Sequence, residues 1–376
     1  MSAMKSSSMK KPHGYPVLKS LATVSVVLLA IGAKKTIDAG DPLSYMLPNL
    51  LLFTPFHRFA VPIWKYLDPP GRLPLKNEHK PVRTIDASDY TFEKFVELTD
   101  RFRYPAVVKG LFKNSTAVEK WTTDKTYLTD IIGDFDVKVA WRSVNETKVF
   151  DRTRASFRDA YTELLENEDY KGWLFFPFFS STRKVVMSNP LNAAVNKIVQ
   201  DDLDLDRIWK GFGRYETHGS LVGHQFSMGR AKKGQKTGTT TFDWHCEPGS
   251  NWFVQVSGTK EWYLMDPKKS SYMMTNHTGV GIRVLRTSDG NLMRDIHESL
   301  PLETVTLEAG DLLYNPEWEW HTIRRDEGIS VAVAMREFNI TNSLRLNAQY
   351  TGVIGVNHFW KNIGVERLLK KDWWLF

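Results

Sequence analysis

Thr239-Thr240-Thr241-Phe242-Asp243-Trp244-His245-Cys246-Glu247 is a run of β-branched and aromatic residues between Gly238 and Pro248-Gly249, which reads as one short strand. Successive side chains of a strand leave on opposite faces, so His245 and Glu247 point one way and Trp244 and Cys246 the other. Two metal donors thus share a face. A third needs a strand folded back beside them, and Gly310-Asp311-Leu312-Leu313-Tyr314-Asn315-Pro316-Glu317-Trp318-Glu319-Trp320-His321 offers a turn, a short strand and then an imidazole. Two histidines and a carboxylate on one face of an octahedron leave three adjacent positions open, the arrangement suited to non-haem iron(II). His245, Glu247 and His321 are therefore the candidate metal ligands and the candidate catalytic centre. A motif as short as His-x-Glu also arises by chance or from a core histidine, so its surroundings decide its weight.

Working outward, the chain after Gly211 reads as short strands bounded by Gly, Pro, Asn and Asp: Ser220–Met228, Thr239–Cys246, Trp252–Val256, Glu261–Met265, Gly281–Leu285, Thr304–Leu307, Leu312–Tyr314, His321–Arg324 and Ile329–Glu337. That pattern predicts a β-sandwich or barrel. Before it, helical periodicity over Thr91–Phe102, Trp121–Ile132, Arg154–Glu166 and Leu191–Val199 alternates with strands at Ala106–Val108 and Val137–Trp141. The expected class is α+β with a mainly β core. Five regions follow: a tail and signal anchor over 1–38, a Pro-rich apolar linker over 39–82, a mixed α/β lead-in over 83–210, a barrel over 211–340 and a helical C-terminal extension over 341–376.

The chain has 376 residues, 42% of them hydrophobic and 12% aromatic, enough for a large packed core. Its net charge of +7 owes much to Lys5, Lys10, Lys11, Lys19, Lys34 and Lys35, ahead of the globular part, which points to a membrane surface and gives no ground for a nucleic-acid partner. A single cysteine, Cys246, excludes an intrachain disulfide and a cysteine-rich zinc site. Ser20–Ala33 is uncharged and flanked by lysines; at about 1.5 Å per residue it is short for a ~30 Å hydrocarbon core, but Tyr15–Leu18 and the snorkelling lysines extend it. An uncleaved signal anchor is the preferred reading, with a cleaved signal peptide or an organellar transit sequence as alternatives. The lysine count places the amino terminus in the cytosol and the rest in the lumen of the endoplasmic reticulum or Golgi. Sequons at Asn114, Asn145, Asn276 and Asn339 agree with that compartment. The second apolar stretch, Leu43–Leu67, is broken by Pro48, Pro55 and Pro62 and reads as a surface segment instead of a span.

The residues around the metal motif carry a resemblance. Thr241-Phe242-Asp243-Trp244-His245-Cys246-Glu247, then Asn251, then Gly258-Thr259-Lys260-Glu261-Trp262-Tyr263, resembles the JmjC and cupin-like 2-oxoglutarate oxygenases, as does Gly310–Pro316 ahead of His321. Lys260 follows Glu247 at the interval seen in the small protein-hydroxylase branch, and Tyr104-Pro105-Ala106-Val107-Val108-Lys109-Gly110 with Trp121 and Leu128 is similar to its lead-in. The resemblance covers about residues 85–340. It implies a double-stranded β-helix, iron(II) as metal, 2-oxoglutarate as cosubstrate, ascorbate as a reductant and hydroxylation of a protein side chain. Lys260 would pair with the distal carboxylate of 2-oxoglutarate, and Asn251 and Thr241 would contribute to the same pocket. Two departures follow. Phe242 stands where many relatives carry a threonine, and Ala332-Val333-Ala334-Met335 replaces a polar residue on the last strand, so Tyr263, Tyr314 or Arg336 would complete the pocket. Alternatives are N-methyl demethylation by the same chemistry, a non-catalytic interaction module, and a zinc or manganese cupin.

Remaining features are weaker. Arg230–Lys236 is a basic loop, either a solvated hairpin or a receiver for an acidic substrate. Trp318 and Trp320 read as core, and His224 as a core histidine instead of a fourth ligand. The Lys370–Phe376 end fits either a bilayer interface or a helix end.

Overall fold

The computed structural model describes residues 79–141, 151–176, 190–209, 220–231, 244–272, 275–277, 282–284, 300–325, 327–347 and 350–351. The expected anchor, residues 39–78 of the Pro-rich linker, Thr241, Phe242, Asn145, most of the basic loop and the last residues of the chain lie outside them, while the end of the expected linker is strand paired with Leu302–Thr304. Among the described residues no helix is long and apolar enough to cross a membrane.

Strands β1 (His79–Pro81), β2 (Arg83–Asp86), β3 (Ala106–Lys109), β4 (Asp136–Trp141), β5 (Asp151–Ser156) and β6 (Gly172–Phe176) alternate with short helices. After the helix Pro190–Leu203 come β7 (Ser220–Ala231), β8 (His245–Cys246), β9 (Ser250–Ser257), β10 (Lys260–Met265), β11 (Thr275–His277), β12 (Ile282–Val284), β13 (Leu302–Leu307), β14 (Leu312–Asn315), β15 (Trp320–Arg325) and β16 (Gly328–Phe338). One sheet runs β1-β13-β10-β15-β8-β12-β11, the other β2-β3-β14-β9-β16-β7-β6-β4-β5. The lead-in strands are therefore hydrogen-bonded into the same two sheets as the later ones. Mixed α+β structure with a mainly β core is what the turn-punctuated pattern predicts, and it is consistent with a jelly roll.

Alternation along the strands sorts the interior. Trp262, Leu264, Leu307 and Ile323 from the first sheet meet Val107, Phe253, Leu313, Ala332 and Ala334 from the second, which fills the space between the sheets. The opposite face of the second sheet, with Trp252, Val254, Val256, Val331, Val333 and Met335, packs on the lead-in helices through Phe95, Trp121, Leu128, Tyr161 and Val199. Sheet two is thus covered on both faces. Gly258 closes the β9–β10 turn at φ +70°, where a Cβ would collide with the Ile329 carbonyl.

Three local expectations differ. The helix expected over Thr91–Phe102 stops at Leu98, because Asp100, Arg101 and Phe102 take left-handed conformations that turn Phe102 back onto Phe95, Trp252 and Tyr314. Of the helix expected over Trp121–Ile132 only Tyr127–Ile132 is helical; a separate helix, Thr116–Lys120, capped by Ser115, ends just before Trp121. Arg154–Ser156 pair with β4 as strand before Ser156 caps the helix Phe157–Glu166.

Candidate active site

His245 and His321 are direct register partners on β8 and β15, and their ring centroids lie 4.2 Å apart. Trp244 and Cys246 are buried on the other side of the strand, as the alternation requires, while His245 and Glu247 are partly open. His321 Nδ1 lies 2.9 Å from the Glu319 carbonyl, which can only accept, so this nitrogen carries the proton and Nε2 keeps its lone pair. Burial lowers the His321 pKa to about 4, which keeps the ring neutral, as a metal ligand must be. Trp262 stacks on the same ring at 5.4 Å and 27°.

Asn315 Nδ2 lies 3.2 Å from His321 Nδ1, and Asn315 Oδ1 has no partner. Since Nδ1 already donates, the amide NH2 cannot donate to it; in the opposite orientation Oδ1 shares the same N–H with the Glu319 carbonyl and the NH2 faces the interior. Asn251 is the register partner of both Asn315 and Arg336, is buried, and also has an unpartnered Oδ1. A buried amide left unpaired is costly, so these two asparagines mark a place built for a polar guest.

Lys260 is 3% exposed, not a solvated strand end. Its Nζ lies 4.7 Å from the centre of the Phe253 ring and 3.5 Å from Ser227 Oγ. On β10 it alternates inward with Trp262 and Leu264, and Leu264 is the register partner of His321. Four residues of strand place the lysine backbone about 13 Å along the sandwich from the histidine. Phe253, Ala332 and Ala334 of the facing sheet lie on the same interior side.

Other expectations fall differently. Tyr263 is on the outward face of β10, against His79 and Glu261. Tyr314 lies in the core against Trp252 and Phe95 and donates to the Phe102 carbonyl. Neither reaches the pocket. Arg336 does face inward, and its NH1 donates to Glu247 Oε2. His224 alternates with Phe226 and Met228 towards the lead-in helices, where burial lowers its pKa to about 4. Trp318 and Trp320 are fully buried; Trp318 Nε1 donates to Ser343 and Thr351.

Ser227 and Asn315 were not singled out from the sequence. Ser227 is the register partner of Ala332 on β16, so the hydroxyl that the last strand lacks is supplied by the strand beside it. Only the pairing of β7 with β16 could have found it.

The residues fit a divalent ion in donor type, tautomer and face. The carboxylate is turned to Arg336, and among the described residues no three His, Cys, Asp or Glu side chains converge on one point.

A profile of the Cupin-like domain family matches residues 89–336. The bifunctional arginine demethylase and lysyl-hydroxylase psr-1 of Caenorhabditis elegans is 22% identical over 279 residues, covering 69% of this chain and 62% of the relative. The protein of the same name from Caenorhabditis briggsae is 23% identical over 287 residues, covering 72% and 64%. The chain thus spans less than two thirds of the length of these relatives.

Proposed function

The chain belongs to the cupin-like domain family, and on that premise we propose that it is an iron(II)- and 2-oxoglutarate-dependent oxygenase that hydroxylates a protein side chain. One observation carries the reading: two register-paired imidazoles and a buried lysine face the same interior. His245, His321 and Glu247 would hold the metal. Bound there, iron(II) with 2-oxoglutarate and dioxygen supplies the oxidising equivalent for a C–H bond.

The chain's own residues do the positioning. Glu319 and Asn315 fix the His321 ring through Nδ1, and Trp262 limits its tilt. Lys260 and Ser227 would hold the distal carboxylate of the cosubstrate, a charge-assisted pair in a water-poor interior. Asn251 and Asn315 offer amides to the polar groups nearer the histidines.

The named relatives are said to act on both arginine and lysine residues, one by demethylation and one by hydroxylation. Removal of an N-methyl group begins with hydroxylation of its carbon, so the same site serves either outcome, and the substrate is a protein in both. A membrane location is part of the proposal, with Ser20–Ala33 as anchor and the site in the lumen. The exposed turn position of the Asn114 sequon supports it, and an endoglycosidase-sensitive mass shift lost in Asn114→Gln is the check.

The whole protein, supplied with iron(II), ascorbate and 2-oxoglutarate, is expected to form succinate, and His245→Ala is expected to abolish it. A folded, metal-loaded protein that forms none contradicts the proposal.

A further inference from the structure

The carboxylate that would complete the metal face is held by a cation of the protein itself. Arg336 lies on the inward side of β16, in register with Asn251 and beside a break in pairing with β7 between Arg336 and Glu337. Such irregularities re-aim a side chain, here towards the β8 end of the sandwich. Its guanidinium donates to Glu247 Oε2, with the two side chains 15% and 27% exposed. A guanidinium supplies this half-buried carboxylate with a counter-charge and directed N–H donors.

We infer that Arg336 is a built-in counter-cation for the metal-free site, occupying the carboxylate a divalent ion needs and setting metal affinity by competition. The inference rests on the proposed ligand set of His245, Glu247 and His321. Without metal, Arg336 neutralises the partly open Glu247 carboxylate. Metal binding breaks that pair, so the free energy of the pair is subtracted from the affinity of the ion. Removing the guanidinium therefore tightens metal binding while loosening the metal-free fold, the opposite of what loss of a ligand or a merely structural group does.

The test is titration of the full chain with Mn2+ alone, an air-stable stand-in for iron(II), followed by calorimetry, with thermal melting of the metal-free protein alongside. Arg336→Gln is expected to bind Mn2+ roughly tenfold more tightly than the natural chain and to melt lower without metal. Should that variant fail to fold, Arg336→Lys serves: its shorter point charge weakens the pair, and affinity must still rise, by less. Folded variants with unchanged or weaker affinity overturn the role of Arg336 while leaving the metal site in place. A natural chain that binds no Mn2+ overturns the ligand set, and the role of Arg336 with it.

Discussion

The two faces of β9 and β16 make opposite demands on the side chains they carry. Towards the lead-in helices, Trp252, Val254, Val256, Val331, Val333 and Met335 form an unbroken apolar surface. Towards the other sheet the same strands present Asn251, Phe253 and Gln255, then Ser330, Ala332, Ala334 and Arg336. A period of two thus lets one pair of strands be core on one side and site on the other. Stability and chemistry are thereby assigned to alternate residues, and the separation can be tested one residue at a time.

His321→Ala, on the site side, should give the largest effect, removing metal-dependent turnover entirely while the unfolding free energy from urea titration falls by only about 1–2 kcal/mol. Comparable losses of folding stability and of turnover would break the contrast. Trp252→Ala, on the core side, removes a ring that packs on Tyr314 at 4.6 Å and Phe95 at 5.3 Å. Denaturant unfolding should show a loss of about 3–5 kcal/mol, with the KM for 2-oxoglutarate of the folded fraction unchanged.

Glu317 sharpens the contrast through pH. It is fully buried beside the Asn342 amide, and burial raises its pKa to about 8. The folded state holds this proton more tightly than the unfolded state, so the stabilisation is complete below about pH 4.5 and is lost as pH rises towards 8. Unfolding free energy should therefore fall by a few kcal/mol across that window, and Glu317→Gln should flatten the profile. An unchanged slope in the variant would remove Glu317 as the cause. The smallest effect is Ser227→Ala, expected to raise the KM for 2-oxoglutarate about tenfold with kcat unchanged, the loss of one hydrogen bond to a charged group. Adding Ala332→Ser, which returns a hydroxyl from the neighbouring strand, should recover most of it.

The strands after Ser220 were legible because each is short, alternating and closed by turn residues, and the same alternation put His245 and Glu247 on one side. Lys260 was legible by its spacing from Glu247. What escaped depends on non-local geometry. The left-handed turn at Asp100–Phe102 is imposed by where Phe102 must pack, and Arg154–Ser156 become strand because β4 lies beside them. Ser227 acquires a role only through its register with Ala332, and Arg336, expected in the pocket, meets Glu247, 89 positions away, only in the fold. Tyr263 and Tyr314 looked suitable as residue types, but the strand period turns one outward and the other into the core.

The most direct measurement is anaerobic visible spectroscopy of the full chain with iron(II) and 2-oxoglutarate. The account predicts a metal-to-ligand charge-transfer band that appears only when both are present, persists in Trp252 variants that remain folded, and is absent in His321→Ala. A folded natural chain that gives no such band would contradict it.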